Sequence, residues 1–247
     1  PFLAANPGVK VNYAPGGTSA QMVGSVRAQK ADPQIDVVIM DVTTSSIGNI
    51  EGLFEKLNPA EFPDLDELAP EARAAGGEKM EGGDHRKSID AAMKRLKELA
   101  PSVNTFEPNP DGYSLILNGV VKVATGWNAR SQLYGDQSGG KIGTLLPPEG
   151  SVFQINTINL TAGSKNRAAA AAFVKYALSQ PAQKAFTERM FYAPTNAKAQ
   201  IDPKAIARTA AAPESRANMI PLDWNDVLKV RDQWNNRWRR EVISAAR

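Results

Sequence analysis

The stretch "QIDVVIMDVTTSSI", residues 34–47, constrains this chain more than any other. An Asp-Pro pair at positions 32 and 33 stops whatever helix precedes it. The near-continuous apolar run that follows reads as a strand buried on both faces, the pattern of a parallel sheet. The run ends on Asp41, and Thr43, Thr44, Ser45 and Ser46 follow at once. In an open α/β sheet, ligands gather beyond the carboxyl ends of the strands. A helix starting among those hydroxyls would add free backbone N–H groups. Asp41 is therefore a candidate ligand group; the alternative is a carboxylate that caps the next helix or forms a turn.

The flanking segments fit an α/β pattern. "VKVNY" (9–13) alternates as a strand, "APGGTS" turns, and Thr18 or Ser19 can cap a helix whose apolar face is Met22, Val23 and Val26. Leu53, Phe54 and Leu57 form a small apolar face. The glycine-punctuated segment "GGEKMEGGDHRKS" is the clearest compositional break, and it holds His85, the single histidine, read as a surface residue. Ile89, Met93, Leu96 and Ala100 mark a helix ended by Pro101. "YSLILNGVVKVATGWNAR" predicts two strands around an Asn118-Gly119 hairpin turn. "KIGTLLPPEGS" predicts a short strand and loop, and "VFQINTINL" a further strand. Asn166 can cap "RAAAAAFVKYALS", with Ala169, Phe173 and Tyr176 on one face. "QPAQKAFTERM" predicts a helix from near Pro181. A short helix is expected over 203–212 and a longer one over 223–243, with Val227, Trp234, Trp238 and Val242 as packing residues.

Composition narrows the chemistry. The 247 residues suffice for one large domain or two lobes, and 42% hydrophobic with 22% charged residues is ordinary for a globular chain. Without cysteine there is no disulfide framework, thiolate zinc site or thiol nucleophile. No apolar run reaches membrane-spanning length. The chain begins at Pro1, as a processed or trimmed product would. Net charge is +3, and "RWRR" reads as a solvated helix face; no nucleic-acid partner is expected. Phosphate-loop, nucleophile-elbow and His-Glu-x-x-His patterns are absent, and one histidine excludes most imidazole-based hydrolysis. A carboxylate pair such as Asp41 and Asp111 is conceivable, but nothing in the sequence brings the two together.

Several segments in order carry a family likeness: "FLAANPGVKVNY", "GGTSAQMVGSVRAQKADPQIDVVIMD", "SIDAAMKRLKELAPSV", "LILNGVVKVATGWNAR", "LPPEGSVFQINTINL", "SKNRAAAAAFVKYALSQPAQKAF" and "YAPTN". The chain resembles the periplasmic solute-binding proteins of ABC importers, of the spermidine/putrescine and iron(III) type called extracellular solute-binding family 1. The resemblance implies an α/β, two-lobed periplasmic binding protein-like fold of type 2, here lacking the first strand–helix unit and a central segment. The expected division is 1–79 for the first part of lobe 1, 80–150 for a partial lobe 2, and 151–247 for the return through the hinge to lobe 1 and the C-terminal helices. It further implies a periplasmic monomer that traps solute in an interlobe cleft by hinge closure, hands it to a membrane permease and makes no chemical change. No cofactor and no metal are expected. An enzyme on the same fold would instead turn over its captured solute, and a signalling receptor would be encoded without a permease.

The resemblance also implies the cleft candidates: Thr18, Ser19 and Asp41 from the first lobe, Trp127, Asn128 and Arg130 from the second, Asn156 in the return strand, and Tyr192 in "YAPTN". Each has a plainer reading: caps for Thr18 and Ser19, lobe core for Trp127, a hinge brace for Tyr192. Polyamine binders of the type carry Trp and then Asp where this chain has Gln154 and Asn156. Iron binders use neighbouring tyrosines, and only Tyr192 is present here. The expected solute is small, polar and organic, either an anion or an amino-acid-like zwitterion. Arg130 favours a carboxylate or phosphate, and Asp41 an amine.

Overall fold

The computed structural model describes residues 1–75 and 88–246. His85 and the glycine-rich joint at 76–83 lie outside the described residues. In chain order the elements are α1 (Phe2–Ala5), α2 (Ser19–Ala28), β1 (Val37–Asp41), α3 (Val42–Ile50), α4 (Pro70–Ala75), α5 (Ile89–Leu99), α6 (Gly112–Leu117) and α7 (Asn128–Gln137). After these come β2 (Ser151–Val152), β3 (Asn156–Leu160), α8 (Arg167–Leu178), α9 (Gln180–Met190), α10 (Pro203–Ile206), α11 (Pro213–Ala217), β4 (Met219–Ile220) and α12 (Trp224–Arg237). The chain divides into two compact units: Pro1–Lys79 with Gln154–Phe186 and Pro194–Ile201, and Met80–Phe153 with Thr187–Ala193 and Asp202–Arg247.

The first unit is built around β1 and β3, which pair in register from Val37 opposite Leu160 to Asp41 opposite Asn156. The pairing is antiparallel, which corrects the expectation of a parallel sheet. Strand direction is set by where β3 returns from, and no local pattern in β1 records that. The other edge of β3 meets residues 53–55, through Glu55 N–H to the Leu160 carbonyl (2.8 Å) and Ala162 N–H to the Leu53 carbonyl (2.9 Å). Side chains alternate across the pleat. Val38 and Met40 pack with Val23 and Val26 of α2 and with Leu53 and Phe54. Val37 and Leu160 turn to the opposite face, against Phe62 and the Ala170, Ala171, Val174 and Leu178 stripe of α8. Ile39 remains 54% exposed, so β1 is not buried along its whole length. Residues 9–13 are irregular rather than a strand, with Tyr13 exposed; among the described residues no strand lies beside them to receive their alternation.

Helix α8 begins at Asn166, yet the Asn166 side chain makes no cap; its amide donates to Asp36. Phe173 and Tyr176 pack aside from the buried stripe, with ring centroids 5.3 and 5.5 Å from Phe2.

In the second unit, Met93 and Ala100 pack with Val242, and Ile89, Leu96, Phe106, Trp234 and Trp238 close around them. The tryptophans are packing residues, as expected: Phe106 meets Trp238 edge-on at 4.9 Å. The expected long C-terminal helix is α12 continued by a wider π turn over Trp238–Val242, and the expected helix over 203–212 shortens to α10.

The predicted hairpin at Asn118-Gly119 is instead the end of α6. Gly119 N–H donates to the Ile116 carbonyl (3.0 Å) and Val120 N–H to the Leu115 carbonyl (2.9 Å), a Schellman closure with Gly119 at φ 71°. Asn-Gly satisfies the left-handed requirement of a hairpin turn and of a helix end equally well. The Asp111 carboxylate decides between them by accepting from Ser114 N–H (2.8 Å) and starting a helix. Residues 141–145 are likewise irregular, and the strand at 151 is two residues long, pairing parallel with β4.

Candidate functional site

In the first unit, the run of hydroxyls after β1 serves the strand end itself. Asp41 caps α3: its Oδ1 accepts from Thr44 N–H (2.9 Å), and the Thr43 and Thr44 hydroxyls also bond the carboxylate. Ser45 Oγ donates to Asn159 Oδ1 (2.6 Å), and the Asn159 amide donates to Thr157 Oγ1 (3.0 Å) and the Val38 carbonyl (3.3 Å). Thr44, Ser45 and Asn159 are buried, so these bonds keep polar groups satisfied inside the unit. Ser46 is also buried. The hydroxyl string that marked the sequence is thus an internal network, with Asp41 at its partly exposed end.

Ser19 and Asn156 flank Asp41. Ser19 Oγ accepts from Asp41 N–H (3.0 Å), and Asn156 stands opposite Asp41 across the strands with its side chain exposed. Thr18 is committed to α2, where it forms a reciprocal capping box with Gln21. Burial alone would raise the Asp41 pKa, but hydrogen bonds from Ser19, Thr43 and Thr44 together outweigh it and hold the carboxyl below the usual aspartate range. Asp41 is therefore an anion at neutral pH.

In the second unit the centre is Tyr113, which sequence reasoning missed. Its buried hydroxyl accepts from Trp127 N–H (2.6 Å) and donates to the Trp127 carbonyl (3.1 Å), closing the start of α7. Its ring stacks on Tyr134 at 4.9 Å. The Tyr134 hydroxyl donates to Asp111 Oδ2 (2.9 Å). Ser114 N–H holds the Asp111 carboxyl below its usual range, while burial pushes the Tyr113 phenol up. The Trp127 side chain is 56% exposed and so is not lobe core. Arg130 is exposed and acts electrostatically on Asp111, Tyr113 and Tyr134. Tyr192 acts likewise on Tyr113. The Asn128 amide donates to the Arg208 carbonyl (2.9 Å), which ties it into the unit's own frame.

The structure therefore gathers Ser19, Asp41 and Asn156 in one unit, and holds Trp127 against Tyr113 in the other, where Arg130 and Tyr192 also lie. Asp41 and Asp111 belong to different units, and each caps its own helix. Nothing in the sequence marked Tyr113: the two bonds that lock it both involve Trp127, 14 positions away. A shallow cavity of about 180 Å³ in the second unit, lined by Leu146, Pro147, Pro148, Glu214 and Met219 among others, contains none of the expected residues. No cluster of His, Cys, Asp or Glu suited to a metal ion occurs among the described residues, and none of their helices is long and apolar enough to cross a membrane.

Comparison with known proteins completes the picture. The spermidine/putrescine-binding periplasmic protein of Escherichia coli (strain K12) is 26% identical over 160 residues, which is 65% of this chain and 42% of that protein. The chain thus spans less than half the length of that relative. An ABC transporter substrate-binding protein from Bradyrhizobium japonicum USDA 110 superposes with a TM-score of 0.77 at 16% identity, over 95% of this chain and 92% of that one. The binding protein AgtB from A. tumefaciens R10, solved with agropinic acid, gives a TM-score of 0.72 at 16% identity, over 97% of this chain and 91% of that one. These likenesses establish the two-lobed α/β fold of the periplasmic binding proteins. The profile of the bacterial extracellular solute-binding proteins matches residues 75–214, more than half of the sequence, and the chain belongs to that family.

Proposed function

We propose that this protein is the solute-binding component of an ABC importer, working in the periplasm, and that it captures a small amine-bearing zwitterion for delivery to a membrane permease. The observation that carries the reading is Asp41, a carboxylate kept anionic and partly exposed at a strand end. It offers charge-assisted acceptance to an ammonium group, and the exposed Asn156 amide beside it can donate or accept. Within the second unit, the exposed Trp127 and the exposed Arg130 guanidinium are suited to a carbon chain and a carboxylate. A relative named for spermidine and putrescine makes an amine-bearing solute a natural class. The neutral pair Gln154 and Asn156 gives a polyamine no second carboxylate, which favours a zwitterion over spermidine.

Titration calorimetry with 4-aminobutyrate, spermidine and succinate tests the reading. Heat and a raised melting temperature are expected with 4-aminobutyrate, and unchanged solute should be recovered afterwards. Silence with all three, or a chemically altered solute, would remove it.

A further inference from the structure

Phe191 is the one non-glycine residue with a positive φ (59°) among the described residues. A bulky side chain rarely adopts that conformation unless its surroundings impose it. Here they do. Phe191 follows α9, its N–H donates to the Thr187 carbonyl (2.9 Å), and its ring is buried. The central carbon of the Arg208 guanidinium lies over that ring, 3.9 Å from the centroid.

Arg208 is itself held by every edge of its fork. Nε donates to Gln132 Oε1 (3.1 Å), the two terminal nitrogens donate to both Asp136 oxygens (2.9 and 2.7 Å), and one of them also reaches the Gln132 carbonyl (3.3 Å). Gln132 and Asp136 sit on α7, whose first turn carries Asn128 and Arg130, and Asn128 returns a bond to the Arg208 carbonyl (2.9 Å). One planar cation thus joins α7 to the left-handed residue immediately before Tyr192.

We propose that Arg208 is a positioning residue for the solute-binding face of the second unit: clamped on α7, it holds Phe191 in the left-handed turn that sets the course of the chain into Tyr192. The geometry stands without the solute-binding reading; only the consequence for affinity rests on it. A lysine would keep the charge but lose both the fork and the flat face.

The test uses the full chain labelled with 3-fluorotyrosine, whose five tyrosines are assigned by single Tyr→Phe variants. In Arg208→Lys the Tyr192 fluorine resonance should broaden and move toward its unfolded position. Tyr13 and Tyr176 should stay in place. If Arg208→Lys does not fold, Phe191→Gly decides. Glycine accepts the positive φ without strain but removes the stacked ring, so the Tyr192 resonance should again broaden. A Tyr192 resonance identical to wild type in the folded variants would overturn the proposal. With 4-aminobutyrate as probe, the loss of affinity in Arg208→Lys should vanish when Tyr192 is already alanine. An equal loss in both backgrounds would show Arg208 acting elsewhere and would also overturn it. If wild type binds no 4-aminobutyrate, the solute reading suffers, and the fluorine spectra still decide the positioning role.

Discussion

In the proposed function Asp41 serves the fold and a ligand together. Its hydrogen bonds start α3, so replacing it should cost stability as well as charge. Asp41→Ala should lower stability by about 1 kcal/mol, the usual effect of losing a capping side chain, and should abolish the calorimetric response to 4-aminobutyrate. A variant that binds undiminished would show that the carboxylate only caps. Gly126 offers a test in the other unit. A Cβ there would overlap the Tyr113 hydroxyl. Gly126→Ala should therefore displace the phenol from Trp127 N–H and weaken the probe while leaving the first unit's tyrosines unshifted in the fluorine spectrum. Asp41 and Trp127 stand out in the sequence by position and type. Tyr113 does not, because a tyrosine after Asp-Gly looks like any strand residue until its hydroxyl is seen bridging the Trp127 backbone.

At the scale of elements, helices with a clear apolar stripe were legible, while of the strands Val37–Asp41 and Asn156–Leu160 form as read and residues 9–13 do not. The faces of α2 and α5 pack as their spacing predicts, because a periodic stripe needs only some apolar surface to cover it. A strand needs a particular partner, and residues 9–13 have none among the described residues. The Asn-Gly pair after α6 carries its own check. Gly119→Ala should destabilise by about 1 kcal/mol through φ alone, since nothing lies within 4 Å of the new methyl. Chemical denaturation with an unchanged m-value would confirm it. In the core of the first unit, Leu160 is 1% exposed between β1 and α8. Leu160→Ala should cost about 2–5 kcal/mol by the same assay; a loss below about 1 kcal/mol would mean the site collapses around the cavity.

For the molecule as a whole, acid stability has an identifiable contributor. Glu67 accepts from Gln180 (2.9 Å), Asn196 (3.0 Å) and Lys198 (3.1 Å), and these bonds hold its pKa down at about 2. A depressed carboxylate stabilises the fold fully above its ordinary value of 4.5, and that stability is lost as pH falls toward about 2. Glu67→Gln should therefore flatten the fall in melting temperature between those limits; an unchanged acid limb would exclude Glu67 as its source. The amphipathic helices, the alanine-rich propensity of α8, the strand at Val37–Asp41 and the absence of thiol chemistry follow from the sequence alone, because each depends on spacing or composition within a few residues. Tertiary structure alone decided that β1 runs against β3, that Ser45 turns inward to Asn159, and that Arg208 reaches Phe191. Each of those outcomes joins groups far apart in the chain, where contact depends on the path of the intervening backbone.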